Sequence, residues 1–284
     1  MQRIIFTNAR GQSVELSKAP FLLQSVGGLG DVDADIQTQK APFQDGSTYI
    51  HSVLQERAIS LEVVILARDT TALLQQRQYL ASAFNPKLGP GTLHYENGDT
   101  IRNIEAVPDG VPVFPSGREN RGSFFQKALV NLLCPNPYWK STEITEEPTF
   151  EPLFQFPFEG VFDIGIQRDN RIIVNDGDAP APIYVEFHGP AVNPKITNKT
   201  TGEFIKVNQT LGENEIMKID TTPGRKSVYF VQPDGAERNV FNWIDLESNF
   251  FQLVVGENEI EYSADGDIQG AIVNIRYNKL YNAV

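Results

Sequence analysis

The stretch on which the fold depends is FFQKALVNLLCPNPYW, residues 124–139. Its first part is mostly apolar and contains β-branched and aromatic side chains, which predicts a largely buried β-strand. Pro135 and Pro137 end that strand, because proline lacks a backbone donor and pushes the preceding residue out of the helical region. Tyr138 and Trp139 follow directly. A core strand that ends in a rigid corner with aromatic side chains is typical of the end of a domain.

Two interpretations fit the aromatic pair Tyr138 and Trp139. The rings either fill a hydrophobic corner inside the domain or anchor a contact with another subunit, where aromatic residues are enriched. Residue statistics favour the first interpretation.

The composition is that of an ordinary globular protein. The chain has 284 residues, of which 40% are hydrophobic and 21% charged, and at about 150 residues per domain this length predicts two domains. The formal net charge of −12 argues against specific nucleic-acid binding, since that affinity depends on Lys and Arg. An acidic chain can still line a passage through which DNA slides without adhering.

Cys134 is the one cysteine of the sequence, so no disulfide forms within the chain, which fits a reducing compartment. Its apolar surroundings predict a small core residue rather than a nucleophile. The first residues contain too few apolar side chains for a secretory signal. No apolar run approaches the roughly 20 residues that span a bilayer. We therefore expect a soluble protein, made in a cytoplasm, without membrane insertion.

The first half of the chain predicts a β-rich domain with one helix. Its expected elements are a hairpin over 1–19, an exposed arm over 37–50, a strand over 57–66, a helix over 71–84, a hairpin over 93–101 and a projecting loop over 107–123. Asp69 or Thr70 is expected to cap the helix. The apolar face of the helix is predicted to contain Leu73, Leu74, Arg77, Leu80, Ala81 and Phe84.

Two short motifs resemble ligand-binding loops but lack the residues that such loops need. The glycine cluster at 27–30 has neither the lysine nor the following helix of a phosphate loop, and we interpret it as a flexible turn. Asp31, Asp33 and Asp35 have the opening spacing of a calcium loop. However, the sixth position is isoleucine rather than glycine, and the twelfth is proline rather than glutamate. We expect no bound metal and no cofactor.

The second half has a different character. Residues 141–170 mix prolines with alternating phenylalanines, which favours a linker or wrapping segment. From residue 171 onward, short β-runs recur between turns such as Pro223-Gly224, a pattern typical of an antiparallel β-sandwich. The expected organisation is mainly β (a β-rich α+β chain), with an N-terminal domain at 1–140, a linker at 141–170 and a sandwich at 171–284.

The sequence contains no motif for catalysis. The histidines His51, His94 and His188 are far apart and lack the spacing of metal ligands. The acidic residues mostly accompany Gly, Asn and Pro, which is typical of turns. No basic and aromatic stripe for single-stranded nucleic acid is present. These observations favour a non-catalytic assembly or binding component.

An ordered set of motifs resembles the distal tail protein (Dit) family of long-tailed bacteriophages. It includes LCPNPYW at 133–139, VNDG at 174–177 and LVVGEN at 253–258. The remaining matching segments are 45–46, 54–66, 77–84, 182–187, 189–190, 193–194, 198–205, 219–220 and 260–262. Each motif is weak alone, but together they cover nearly the whole chain in order. Asn136 departs from the family, which more often has aspartate before the proline, and this removes one charge.

The resemblance implies a structural virion protein that forms a homohexameric ring at the distal end of a phage tail. The N-terminal domain would form the ring around a channel for DNA, and the C-terminal domain would be a galectin-like β-sandwich at the periphery. The implied partners are the tail-tube protein, the tail-associated adhesin or lysin protein, the tape-measure protein and the receptor-binding protein.

A closed ring needs two different contact surfaces on each subunit. The long arms at 31–53 and 103–123 could be ordered by a neighbouring subunit. We therefore predict a subunit or partner interface that buries more than about 1,200 Å². Its candidate residues are Phe43, Asp45, Tyr49, Arg57, Arg118, Tyr138 and Trp139.

The alternative function is a carbohydrate-binding module that contacts the host cell-wall glycan through the sandwich. Its candidate platform is Trp243 with Asn242 and Asp245, although a core role for Trp243 is favoured. A glycan hydrolase is a second alternative, but the sequence offers no pair of acids that argues for it.

Overall fold

The computed structural model describes residues 2–146, 150–152, 165–167, 170–265 and 272–284. The chain forms two compact units: an N-terminal unit of Met1–Thr142 and Tyr281–Val284, and a C-terminal unit of Glu143–Leu280. The sequence assigned the last four residues to the second domain. They join the first because Tyr281 and Val284 pack against its core. Much of the expected linker at 141–170 lies outside the described residues.

The N-terminal unit consists of short strands and an α-helix. Its elements are β1 (Arg3–Thr7), β2 (Ser13–Glu15), β3 (Ser17–Lys18), β4 (Phe21–Gly27), β5 (Ala34–Gln39), β6 (Thr48–Leu54), β7 (Arg57–Leu66), α1 (Thr70–Ala83), β8 (Gly91–Asn97), β9 (Thr100–Pro108), β10 (Phe125–Cys134) and β11 (Trp139–Lys140). The main sheet has the order β2-β1-β8-β9-β10-β7-β4-β3, and β5 and β6 form a separate two-stranded hairpin. The predicted strand at 57–66 and the hairpin turning at Asn97-Gly98 are confirmed.

Strand β10 is half-buried, and the prediction of a largely buried strand was wrong. Ala128, Val130 and Leu132 lie in the core, whereas Leu129 and Leu133 are 42% and 36% exposed. Because β10 pairs with β7 and β9 in an antiparallel sheet, successive side chains point to opposite faces and the core covers only one of them. The apolar residues on the uncovered face are therefore not part of this unit's core.

Helix α1 begins at the predicted cap. The Asp69 side chain accepts a hydrogen bond of 2.8 Å from the backbone N–H of Ala72, which satisfies a free donor of the first turn. Leu73 and Leu80 are buried as predicted, but Leu74 is 51% exposed. The apolar face of α1 is therefore narrower than the sequence indicated.

The segment between β9 and β10 does not project as predicted. Residues 103–108 belong to β9, and the following loop lies along β10. Val113 and Leu129 exchange two backbone hydrogen bonds of 2.9 Å. The buried side-chain amide of Gln126 donates to the carbonyls of Pro115 at 2.8 Å and Asn120 at 3.2 Å. The loop thus extends the surface of the sheet.

The C-terminal unit contains two antiparallel sheets over one core. Its strands are β12 (Ile144–Glu146), β13 (Phe150–Pro152), β14 (Gly165–Gln167), β15 (Asn170–Asn175), β16 (Ile183–His188), β17 (Ala191–Val192), β18 (Lys195–Asn198), β19 (Glu203–Lys206), β20 (Thr210–Leu211), β21 (Ile216–Asp220), β22 (Ser227–Val231), β23 (Glu237–Asn239), β24 (Gly256–Ser263), β25 (Ile272–Tyr277) and β26 (Leu280–Tyr281), the last of which spans the division between the units. One sheet has the order β12-β25-β16-β21-β22-β23 and the other β15-β24-β18-β19. Their inward residues, such as Phe187, Phe230 and Ile260, form one cluster. The predicted mainly β architecture is confirmed.

Buried asparagines hold the turns of this unit. Asn258 donates to the backbone carbonyls of Val254 at 2.8 Å and Gly256 at 3.1 Å, and its side-chain oxygen accepts from Asn198 at 3.1 Å. Asn175 donates to the carbonyls of Ala179 and Leu253, both at 3.0 Å. Amide side chains can satisfy buried carbonyls that would otherwise remain unpaired. The asparagines of the VNDG and LVVGEN motifs are therefore structural residues.

Candidate assembly interface

A β-hairpin extends from the N-terminal unit and is exposed along its length. This arm, residues 34–54, consists of β5, β6 and the tip between them. Every residue of β5 is exposed, and Phe43 at the tip is fully exposed with a positive φ of 65°. A two-stranded hairpin is marginally stable alone in water. An arm of this kind is therefore expected to rest on another surface.

The two faces of the arm differ in polarity. Paired residues of a sheet share a face, and the pairs Ile36 with Ser52 and Thr38 with Tyr49 define one face. The Tyr49 hydroxyl lies 2.9 Å from that of Ser52. This apolar face of the arm contains Ile36 and Tyr49, each 61% exposed. The opposite face contains Asp35, Gln37 and His51 together with one exposed apolar residue, Val53, so the face with Ile36 and Tyr49 is the more apolar of the two.

The root of the arm is held by a buried cation. Arg57, the first residue of β7, is fully buried and donates to three backbone carbonyls: Gly28 at 2.8 Å, Pro137 at 2.8 Å and Asn282 at 2.5 Å. Burial lowers the pKa of the Arg57 guanidinium, and the charge of the Asp31 carboxylate opposes this shift. The three bonds connect the glycine turn before the arm, the Pro-Asn-Pro corner and the C-terminal tail.

The glycine turn at 27–30 is a tight junction rather than the flexible turn that the sequence indicated. Gly28 has a φ of 89°, and a Cβ added there would lie 2.1 Å from the carbonyl oxygen of Ala58. Its N–H donates to the Asp31 carboxylate at 3.1 Å. Only glycine combines this backbone conformation with so close an approach. The turn therefore fixes the direction in which the arm leaves the sheet.

Trp139 fills the corner, as the favoured interpretation of the aromatic pair predicted. Its side chain is fully buried, its Nε1–H donates to the carbonyl of Leu29 at 3.2 Å, and its ring lies 6.1 Å from that of Tyr95. Tyr138 is half-buried, and its backbone N–H donates to the Asn136 side chain at 3.1 Å. Arg57 and Trp139 thus support the arm from within and do not reach the surface.

A second apolar surface lies on the uncovered side of β10. We call it the outer face, defined by Leu66, Val111, Val113, Leu129 and Leu133. Val113 is paired with Leu129, so their side chains share this face. Glu62 and Lys127 form an ion pair of 3.5 Å on it. Arg118 and Arg121 lie in an exposed turn near the Phe125 end of β10, where Arg121 is bridged to Gln126.

The arm and the outer face hold half of the exposed large hydrophobic residues in the described part of the chain, ten of twenty. On the outer face these residues alternate with polar ones such as Ser60 and Asn131, and a concentration of exposed apolar residues in two places favours interaction sites there. The two surfaces differ in shape, one a protruding hairpin and the other a sheet face. Phe43, Asp45, Tyr49 and Arg118 are thus exposed, and the structure places them on or beside these two surfaces.

The candidate glycan platform is partly covered. Trp243 is half-buried against the core of the C-terminal unit, and the Arg238 guanidinium lies 4.9 Å from its ring centre. The Asp245 carboxylate accepts hydrogen bonds from the backbone N–H of Glu247 and from the side chain of Asn208, and these bonds lower the pKa of Asp245. Asn242 is exposed. The indole ring of Trp243, which would have to stack on a sugar, is thus already in contact with the Arg238 guanidinium.

Few groups in the described residues suggest chemistry. No cluster of three or more His, Cys, Asp or Glu side chains in these ranges could hold a metal ion. Burial raises the pKa of the Cys134 thiol to about 12, with Arg57 opposing the shift, and this keeps the sulfur protonated and unreactive near neutral pH. No helix of the described ranges is both long and apolar enough to cross a membrane.

Sequence profiles of phage tail proteins match both halves of the chain. The siphovirus-type tail component, C-terminal domain, matches residues 176–281. The phage tail protein RIFT-related domain matches residues 9–134. No curated protein sequence matches with significance.

Solved structures of phage proteins share the fold. The Dit protein of phage SPP1, described as a paradigm of the hub adsorption apparatus in phages that infect Gram-positive bacteria, is 13% identical, with a TM-score of 0.69 over 99% of each chain. A chain of the phage P2 baseplate in its activated conformation with calcium is 10% identical, with a TM-score of 0.59 over 97% of this chain and 98% of that one. A chain of the phage p2 baseplate in its activated conformation with strontium has a TM-score of 0.58. The likeness extends over nearly the full length of the chain.

Proposed function

The chain belongs to the Dit family of siphovirus-type tail components and is a structural part of a phage tail, and we propose that six copies form a closed ring at the distal end of that tail. The observation that carries the proposal is the presence of two different unpartnered apolar surfaces on the N-terminal unit, the arm and the outer face. A ring requires such a pair, because each subunit meets its two neighbours through different surfaces.

The ring would be formed by the N-terminal units around a channel through which DNA passes. The net charge of −12 supports this role, since an acidic protein repels the phosphate backbone and does not retain it. The candidate contacts on the surface are Phe43, Asp45, Tyr49, Arg118 and Tyr138. Arg57 and Trp139 would act indirectly, by fixing the root of the arm.

The proposed neighbours are the other components of a tail tip. The ring would join the tail-tube protein on one side to the tail-associated adhesin or lysin protein on the other, with the tape-measure protein in the channel. The C-terminal unit, for which we propose a galectin-like β-sandwich fold at the periphery of the ring, would brace or contact the receptor-binding protein. The proposed role is structural, with no reaction catalysed.

Carbohydrate binding through Trp243 is not proposed. The Arg238 guanidinium over the ring and the packing of Trp243 against the core leave less of the aromatic surface for a sugar. Saturable binding of purified wall saccharide that is lost in Trp243→Ala would reverse this judgement.

The proposed hexameric ring is tested by measuring the mass of the purified protein in solution. We expect light scattering to give six times the mass of one chain, and negative-stain images to show a ring with a central hole. Replacement of residues 37–50 by a short turn should give a monomer, because it removes most of the arm. A matched control is Leu246→Ser, which changes a fully exposed residue of the C-terminal unit and should leave the hexamer intact. A hexamer that survives the loss of 37–50 would refute the role of the arm.

A further inference from the structure

The last residues of the chain, 281–284, form a tail that belongs to the N-terminal unit. We propose that this tail delays assembly until a chain is complete, because the arm takes its assembly-competent direction only when the tail has docked beside it. The inference rests on the proposed ring and adds a rule for which chains enter that ring. A chain that ends before residue 282 folds but is excluded, since the root of its arm is not fixed.

The two ends of the tail are anchored on the N-terminal unit. Tyr281 is the last residue of β26, which pairs with β11. Its ring centre lies 3.8 Å from the Arg102 guanidinium, which is a favourable cation–π arrangement. Tyr281 and Val284 both pack against the core of this unit. The tail is therefore held at both ends, whereas most chain termini are poorly ordered.

The middle of the tail lies against both roots of the arm. The backbone carbonyl of Asn282 accepts a hydrogen bond of 2.5 Å from Nη2 of Arg57, which follows the end of β6 by three residues. Ala283 lies beside the glycine turn that precedes the arm, since a Cβ added at Gly30 would be 3.5 Å from the Ala283 Cβ. The tail thus contacts the chain both where it enters the arm and where it leaves it.

Loss of the tail would weaken the root of the arm through Arg57. With the tail in place, the Arg57 side chain is fully buried and has the Asn282 carbonyl as one of three acceptors. Without the tail, Nη2 loses that acceptor and bonds to water, which then competes for the two other bonds. Hydrogen bonds in a buried site are stronger than those in contact with water. The bond of 2.9 Å from the Gln55 N–H to the Asp33 carbonyl, which closes the base of the arm, loses this support.

The order of synthesis gives this dependence a use. Arg57 and Asn282 are 225 residues apart, a separation that takes ~11–45 s to synthesise at ~5–20 residues per second. The exposed Ile36 and Tyr49 of the arm are therefore present on unfinished chains, which lie close together on one message. Exposed apolar surface on incomplete chains favours misassembly. An arm whose direction depends on the tail restricts assembly to finished chains.

Hydrogen–deuterium exchange tests the role of the tail in single chains, independently of the ring. Protein that lacks residues 282–284 is compared with the full chain at a concentration at which both are monomeric. We expect the backbone amides of 28–33 and 54–58 to exchange about tenfold faster or more in the truncated protein, while those of β10 stay protected over the same labelling times. Equal exchange at the base of the arm in the two proteins would overturn the proposal. Full-length Asn282→Ala is the matched control, since it keeps the backbone carbonyl and should exchange like the wild type.

A second comparison shows whether Arg57 carries the effect. Arg57→Met in the full-length chain should accelerate exchange at the base of the arm as the truncation does, and the two changes together should add less than about twofold to either alone. Full additivity would contradict the role given to the Asn282 carbonyl. If the truncated protein does not fold, full-length Arg57→Lys takes its place, because one nitrogen cannot replace the three of the guanidinium. Exchange in Arg57→Lys that matches the wild type would then overturn the proposal.

Competition between chains tests the exclusion itself. Full-length and truncated chains with different N-terminal tags are co-expressed, and the subunits of the purified hexamers are counted by mass spectrometry. Truncated chains should reach about one tenth or less of their share in the cell, since each subunit of a closed ring must make both contacts. Incorporation in proportion to abundance would overturn the exclusion. A full-length protein that forms no hexamer would instead refute the ring on which the inference rests.

Discussion

Arg57 shows how one side chain can organise a domain without taking part in a contact between subunits. Among the residues that the structure describes, its guanidinium forms no ion pair with a carboxylate and donates to three backbone carbonyls. The five donors of a guanidinium are spread over three nitrogens in a rigid plane, so it can bind carbonyls that lie further apart than those within reach of the single nitrogen of a lysine. The arm, the proline corner and the C-terminal tail are consequently held at one point.

Replacement of Arg57 by methionine should lower the free energy of unfolding of the N-terminal unit by about 2 to 4 kcal/mol, because three carbonyls lose their donor. Trp139 lies in this unit and Trp243 in the other, so the fluorescence of Trp139 in a Trp243→Phe background reports on the N-terminal unit alone. Arg10→Met is the control, and we expect a change within about 0.5 kcal/mol for this exposed position of the same unit, which is not among the candidate contacts. Equal losses in the two variants would contradict the role of Arg57.

The raised pKa of Cys134 predicts a loss of stability in alkali. The folded state holds the thiol protonated up to about pH 12, whereas an unperturbed thiol ionises near 9.0. The unfolded state therefore binds fewer protons between these values, and stability falls as the pH rises. Between pH 8 and pH 10 the wild type should lose about 1.4 kcal/mol more than Cys134→Ala, as measured by urea unfolding. Equal losses of unfolding free energy in the wild type and in Cys134→Ala would contradict the raised pKa of Cys134.

At the scale of elements, β10 and the arm follow one physical rule with opposite outcomes. In both elements, successive side chains point to opposite faces. The even-numbered residues of β10 lie in the core of the unit, whereas neither face of the arm packs on a core formed by its own chain. Alternation along a strand separates the residues that hold the fold from those available for assembly.

Neighbouring residues of β10 should therefore respond differently to the same change. Val130→Gln places an amide in the core and should cost about 3 kcal/mol or more of unfolding free energy. Leu129→Gln, one residue away, should cost less than about 1 kcal/mol and instead weaken the hexamer. Urea unfolding followed by Trp139 fluorescence and light scattering separate the two effects. Similar destabilisation in both variants would show that the outer face is covered within one chain.

At the scale of the whole molecule, the N-terminal unit depends on the last residues of the chain. The Arg102 guanidinium lies 3.8 Å from the ring centre of Tyr281, and the carbonyl of Asn282 accepts from Arg57. The N-terminal unit is therefore complete only when the C-terminal end of the chain has been added.

Deletion of Tyr281–Val284 should lower the stability of the N-terminal unit by about 2 to 3 kcal/mol, through the lost aromatic contact and the lost hydrogen bond. The transition of the C-terminal unit, followed through Trp243 in a Trp139→Phe background, should change much less. Asn282→Ala retains the backbone carbonyl that Arg57 binds and should therefore cost less than the deletion. If the deletion destabilised only the C-terminal unit, the tail would not have the role described.

The sequence by itself determined the local elements and the family. Alternating apolar residues predicted β7, the Asn97-Gly98 turn predicted the hairpin of β8 and β9, and Asp69 predicted the start of α1, because these signals act within a few residues. The order of short motifs identified the Dit family, since it reports the whole arrangement even where each motif is weak. The exposed arm could also be anticipated from its polar, turn-rich composition.

Only the tertiary structure decided which side of β10 faces the core, which groups the buried Arg57 and Trp139 contact, and which unit residues 281–284 join. The hydrogen bonds of Arg57 span 29, 80 and 225 residues. No periodicity within a strand can report contacts across such separations. The physical reason is that burial belongs to the assembled sheet rather than to the strand, so the same apolar residue stabilises the core or remains free for another subunit according to what packs above it.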